Sequence, residues 1–420
     1  MAYIPFIYFT LLLLWHVNKP DMRFGAGAMS LLCVDISAFF SILLHVRNLY
    51  GDMGCNLYAL TFLGVALYCI LWTIVLYPIL QLDKKEIRME VTKSSLLSFL
   101  CVFFIVCVGI YIVGTGVIGK IIDGLTTTRS EAYDASMSND KIYQSQRRFW
   151  LWIPQIVFNA SPLCLLLWFV AETISPQRLW IRMGLLCSSM ILVVNAYAGG
   201  GRAHLLWFVE TFMILFAYFV PMMSRKKKLT ILSIGGVVGL VAFAGLLIIT
   251  LSRFESSVTD YALNSLIGYA GQNVNNFCAC LPYIDAGHLY GERMMPLITF
   301  LKTGMPYDMF EYYSFLGMQY PIQVNVFFTM FGGALMDLGV VGLLVYLFFY
   351  WGIAKHMAAP QDGVLQTPQI LLFALIVCVP VRGLYGYPFT TTNGTLYLML
   401  VCALYFLFKY TFVYDKKRII

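Results

Sequence analysis

Long apolar runs separated by short polar connections dominate the chain from end to end. A helix that crosses a bilayer needs about 20 predominantly apolar residues. Eleven stretches fit, at roughly 2–18, 24–46, 56–80, 95–119, 149–171, 179–198, 203–223, 229–251, 326–351, 369–388 and 394–412. The first resembles the apolar core of a secretory signal, but no basic segment precedes it and no small-residue cleavage site follows it. It reads as a retained helix. The expected fold class is all-α: a polytopic integral membrane protein with about eleven transmembrane helices and one large outer loop.

Two connections break the pattern. One covers 120–148 and the other 252–325. Loops beyond about 15 residues are uncommon unless they are functional or disordered. The second is rich in Tyr, Phe and Met, so it is expected to be ordered, with short helices at the membrane surface such as 292–303. The chain therefore divides into helices 1–8 (1–251, including the outer loop 120–148), the large loop 252–325, and helices 9–11 (326–420). Basic residues orient it, because they accumulate in cytoplasmic connections. The clusters Lys84, Lys85, Arg88, Lys93; Arg225, Lys226, Lys227, Lys228; and Lys416, Lys417, Arg418 fall on one side when passes alternate. Calling that side cytoplasmic leaves both long loops outside.

Composition changes the picture only by exclusion. Apolar types form 60% of the 420 residues and charged types 12%, against roughly 45–50% and about 25% in soluble domains. A mean hydropathy of +0.78 agrees. A soluble enzyme, a disordered chain and a nucleic-acid binder are all excluded, and the net charge of +7 is no polynucleotide footprint. The eleven cysteines mostly sit in apolar runs, where a thiol behaves as a small hydrophobe, and none has zinc spacing. No metal and no cofactor is expected.

The outward-facing arginines carry the candidate chemistry. Arg202 follows Gly199, Gly200 and Gly201 where one helix ends outside and the next begins. Glycines let backbone approach a ligand, a helix start presents amides and a positive dipole end, and guanidinium matches phosphate oxygens. This is either a pyrophosphate cradle or a tight turn with an arginine reaching the interface. Arg253, Arg293 and Lys302 are the cations of the large loop, which holds six acids. Each arginine could meet pyrophosphate, a headgroup or a neighbouring acid. His288 and Glu292, spaced i,i+4, are the candidate general bases. Arg382, before Gly383 near an outer helix end, is a substrate-binding candidate or an interface anchor. Arg147 and Arg148 beside Phe149, Trp150 and Trp152 read first as such an anchor. Asp35, Glu210 and Asp337 lie inside apolar stretches, where acids are costly; pairing with an arginine or with neighbouring helix groups ranks above a proton path for Glu210 and Asp337.

The layout resembles the Wzy-type O-antigen and oligosaccharide repeat-unit polymerases. Two local features carry the resemblance: the small-residue-plus-Arg turn Gly199–Arg202, and the run from Asn325 that contains Thr329, Asp337, Gly339 and Gly342 in an Asp-x-Gly-x-x-Gly arrangement. Arg293 with Gly304 matches the family's Arg-to-Gly spacing, whereas Arg129 is followed at that spacing by Asp140. The resemblance implies a GT-C-like membrane glycosyltransferase of the bacterial inner membrane, acting at the periplasmic face. Its partners would be undecaprenyl-pyrophosphate-linked oligosaccharide as donor and acceptor, the lipid bilayer and a chain-length regulator, with no nucleic acid. An O-antigen ligase and a flippase or transporter of the same lipid-linked sugar are the alternatives.

Overall fold

The computed structural model describes residues 1–52, 54–91, 95–115, 156, 159–199, 202–251, 259–284, 291–292, 294–304, 317–324, 326–357, 360, 363–386 and 392–419. Among them the protein is all-α apart from two short strands, β1 (Arg88–Met89) and β2 (Val364–Leu365). Seven helical stretches are long and apolar enough to cross a membrane: Ala26–Val46, Phe62–Gln81, Leu97–Gly114, Leu179–Tyr197, Ala203–Met222, Arg225–Gly245 and Thr329–Lys355. Four more apolar helices are shorter, at Tyr3–Val17, Ser161–Thr173, Thr367–Gly383 and Gly394–Tyr410. Each of the eleven expected stretches therefore contains a helix, and seven have spanning length. Residues 116–155 lie outside the description, except that the fifth expected stretch is seen from Ser161.

The chain forms two compact units, Met1–Arg88 with Leu263–Ile420, and Met89–Ala262. The first contains α1 (Tyr3–Val17), α2 (Ala26–Val46), α3 (Phe62–Gln81), α10 (Thr259–Cys280, from Leu263 onward), α11 (Pro296–Thr303), α12 (Thr329–Gly352), α13 (Thr367–Gly383) and α14 (Thr392–Ile419). Thr61 starts α3 by accepting a hydrogen bond from the Gly64 amide at 3.1 Å. Gln366 and Gln369 form a reciprocal capping box at the start of α13. Asp83, just past α3, crosses to the start of α2 and accepts from the Gly27 and Ala28 amides at 3.0 and 2.7 Å. His16 of α1 meets the same carboxylate at 3.1 Å, and both side chains are buried. One acid thus fastens three helix ends. The approach requires glycine: a Cβ on Gly27 would stand 2.5 Å from the Leu80 backbone.

Within the segment 252–325 the structure has α10 and α11. α11 lies within the stretch expected as a short helix at 292–303 but begins only at Pro296, after the turn that holds Glu292, and it exposes Ile298 and Leu301. α10 is a different element. Its Gln272, Asn273, Asn275 and Asn276 are buried, and a Cβ on Gly271 would stand 2.4 Å from the Phe40 carbonyl oxygen of α2. Asn275 Nδ2 donates to the Asn56 carbonyl at 2.9 Å, and its oxygen accepts from the Ala59 amide at 2.9 Å. Asn276 accepts from the Asn56 amide at 2.9 Å. Asn273 exchanges bonds with Ser37 of α2. The polar ladder joins the α2–α3 connection to the helix, which satisfies backbone groups that no regular element would pair.

The second unit contains α4 (Ser95–Thr115), α5 (Ser161–Thr173), α6 (Leu179–Ser189), α7 (Ile191–Gly199), α8 (Arg202–Phe219) and α9 (Arg225–Leu251). The stretch 179–198, expected as one helix, is interrupted at Met190, whose amide bonds back to Leu186 and Cys187. The core is aromatic: Phe169 stacks on Phe219 at 5.3 Å and packs on Trp168 at 4.9 Å.

Candidate functional site

α7 ends at Gly199, and Arg202 is the first residue of α8. The helix start expected there is present. Gly200, Gly201, Arg253, His288 and Arg293 lie outside the described residues. Arg202 falls in one compact unit, and Glu292 and Arg382 in the other.

Glu292 is exposed on the turn Gly291–Met295. That turn is closed by the Met295 amide, which donates to the Gly291 carbonyl at 2.7 Å. Gly291 has φ +91, a left-handed conformation that glycine adopts without strain. The turn is held from below by Asp337. This carboxylate is fully buried and accepts from the Gly291 amide at 3.1 Å and the Met294 amide at 2.7 Å. Two charge-assisted bonds to backbone compensate a carboxylate in an apolar setting. Asp337 pairs with backbone amides of this turn, whereas the sequence points to an arginine or neighbouring helix groups, and it ties Gly291 and Met294 to α12.

α12 is built to offer that carboxylate. Gly339, two residues on, has φ 67 and ψ −172, so the helix breaks there. Before the break, residues 329–337 are all buried; after it, Val340, Val341, Leu344, Val345, Phe348 and Phe349 are exposed. The spacing Asp337-x-Gly339-x-x-Gly342 thus marks a buried half-helix, an acceptor and a kink. Thr329, at the start, also has a positive φ of 67. Such a backbone is strained for a β-branched residue and persists only where its surroundings enforce it. Thr329 is buried, and its hydroxyl accepts from the Gly332 amide at 3.4 Å.

Arg382 occupies the last turn of α13 and is only 4% exposed. It does not reach outward as an interface anchor does. Next to it, a Cβ on Gly383 would stand 2.7 Å from the Met330 sulfur of α12. The Tyr385 and Gly386 amides both bond to the Arg382 carbonyl at 3.0 Å. Tyr385 packs edge-on against Phe327 at 5.3 Å and against Tyr269 of α10 at 5.9 Å. A buried guanidinium, an aromatic trio and the amide ladder of α10 thus belong to one unit.

Sequence reasoning missed the α10 amides. The signal was legible as Gly271-Gln-Asn-Val-Asn-Asn276, four amides in five positions inside an otherwise aromatic segment. It also missed the Asp83–His16 pair. Asp35 of α2, one of the acids in apolar stretches, accepts from the Thr10 hydroxyl of α1 at 3.0 and 3.2 Å. In the α2–α3 connection, burial pushes the Cys55 thiol up to about 12, against a lowering hydrogen bond from Asn275. That thiol stays protonated and inert near neutrality. Among the described residues no group of three His, Cys, Asp or Glu side chains is arranged to hold a metal ion.

Set against protein-family models, curated proteins and solved structures, the chain matches none. What the fold defines is the class: an all-α, multi-pass membrane protein with long apolar helices and buried polar groups beside them.

Proposed function

We propose that this protein is a repeat-unit polymerase of bacterial surface polysaccharide. It transfers the growing glycan from undecaprenyl pyrophosphate onto a new lipid-linked unit at the periplasmic face of the inner membrane. The observation that carries this reading is the grip of Asp337 on the Gly291–Met294 turn. A turn bearing the exposed carboxylate of Glu292 is fixed to a membrane helix, where a lipid-linked substrate would arrive. The start of α8 at Arg202 supports it from the other unit.

The reaction breaks the bond from the donor's anomeric carbon to pyrophosphate and forms one to the acceptor hydroxyl oxygen. Negative charge grows on the pyrophosphate as it leaves. Arg202, Arg253 and Arg293 are the residues proposed to stabilise it, because fixed cations outside bulk water are most effective where charge develops. Arg382 and the amides around Gly200 and Gly201 are proposed to bind substrate. Glu292 or His288 takes the acceptor proton, or that proton passes to the leaving phosphate. No nucleotide sugar enters the scheme, and a chain-length regulator is the proposed protein partner.

The experiment is a gel of surface polysaccharide from a strain lacking only this gene, complemented with wild type or with Arg202→Ala. The expected result is single capped units without the ladder of longer chains, for the deletion and for the variant alike, with variant protein at wild-type level in the membrane. Normal ladders from Arg202→Ala would remove the pyrophosphate role. Loss of all capped material, with lipid-linked polymer outside, would make the protein a ligase. Lipid-linked single units accumulating inside would make it a flippase.

A further inference from the structure

In the second unit, the α5–α6 and α8–α9 connections are tied together. Glu172, near the end of α5, holds Arg182 of α6 through both carboxylate oxygens, at 2.9 and 2.8 Å from Nη1. Lys227 of α9 donates from Nζ to the Glu172 carbonyl. Around this knot, Arg178, Arg225 and Lys226 are exposed and Lys228 is half-buried. Two cations thus contact Glu172, and Arg178, Arg225, Lys226 and Lys228 lie next to those contacts along the chain. Such a concentration of one sign repels itself unless a counter-charge binds.

The surface beside the cations is apolar and equally exposed. On α6, Leu179 is 64%, Trp180 52% and Met183 51% exposed; on α9, Leu229 is 59% and Leu232 54% exposed. A row of cations bordering apolar walls is complementary to a phosphate attached to acyl chains. We infer that this corner of the second unit binds anionic phospholipid, with the phosphate at Arg178, Arg225, Lys226 and Lys227 and the chains along Leu179, Met183, Leu229 and Leu232. A zwitterionic headgroup would bring its own amine against the cluster, and free phosphate would leave the apolar walls unmatched. Polybasic segments at a bilayer surface attract anionic lipid in this manner. The inference is independent of the polymerase reading.

The test uses the full-length protein in neutral detergent, followed by thermal unfolding. Added phosphatidylglycerol is compared with phosphatidylcholine of the same chains and with inorganic phosphate. A ligand bound by the folded state alone raises the midpoint. The expected result is a clear upward shift with phosphatidylglycerol only, diminished by high salt. The double variant Arg225→Gln/Lys226→Gln loses most of that shift. Should the double variant fail to fold, the single variant Arg178→Gln carries the test and shows a partial loss. Equal shifts with both lipids, the same shift with inorganic phosphate, or a full shift in the folded variants would overturn the inference.

Discussion

The two compact units are held together by different chemistry. In the first, buried polar groups reach across elements: Asp83 to α2, Asp337 to the 291–294 turn, Asn275 and Asn276 to the α2–α3 connection. In the second, the described core is mainly apolar and aromatic, with Phe169 packed on Trp168, Phe212 and Phe219; polar links such as Ser161 to the Ser189 carbonyl, Tyr111 to Asn195 and Arg182 to Glu172 are sparser among the described residues. The helices reflect this. In the most apolar stretches of α2 and α3, 61% is buried, against 50% in Leu179–Tyr197, 44% in Ala203–Met222, 33% in Leu97–Gly114 and 12% in Arg225–Gly245 of the second unit. Apolar packing suffices to pair plain helices. A chain that enters turns and half-helices inside an apolar setting must also satisfy its stray amides. The first unit has such paths, and the buried acids and amides are their consequence.

The sharpest way to break the contrast is to remove an acid from the first unit. Asp337→Ala orphans two buried amides and is expected to destabilise by about 3 kcal/mol, read as a lowered midpoint in detergent titration, whereas Asp337→Asn retains an acceptor and loses less. Equal loss in both variants would mean that volume, not hydrogen bonding, matters there.

A glycine pair separates the units next. Gly271→Ala drives a Cβ into the Phe40 backbone, with an expected cost of roughly 1–3 kcal/mol from overpacking. Gly236→Ala on α9 meets nothing within 4 Å, and is expected to stabilise by up to about 1 kcal/mol through helix propensity. Like signs from the two variants would erase the distinction.

Asp83→Ala, compared with Asp83→Asn, tests the cap on α2. The alanine variant is expected to lose about 1–2 kcal/mol, and a smaller loss in the asparagine variant assigns the effect to hydrogen bonding. The last effect is confined to alkali and is nil near neutrality. The Cys55 thiol is raised to about 12 on folding, from an ordinary value near 8.5. Its contribution to stability is therefore complete below about pH 8.5 and is lost as pH rises toward the folded value. Maleimide at neutral pH should leave Cys55 unmodified until the protein is unfolded; ready labelling of the folded protein would contradict the burial.

The helices were legible because a bilayer-length apolar run announces itself in one dimension. Each expected stretch contains a helix, and α1, α2 and α12 lie within a few residues of their expected bounds. The breaks at Met190 and Gly339 were not legible as breaks, because local hydrophobicity is the same on either side. The candidate site was readable as a set of residue types. Arg202 does open a helix as its glycine-rich approach suggested. Arg382 was readable as a cation at a helix end, but its burial was not, because burial depends on how elements distant in sequence pack around it.

By itself, then, the sequence determined the fold class, the approximate position of the helices and the chemical types available at their ends. Those properties follow from composition and from runs of neighbouring residues. Only the tertiary structure decided which polar groups meet. Asp83 finds helix ends 55 and 56 residues away, and Asn276 finds Asn56 at a separation of 220. A carboxylate in an apolar run is a cost until its donors are known, and the donors here are backbone amides, which every residue except proline carries and which no sequence pattern distinguishes.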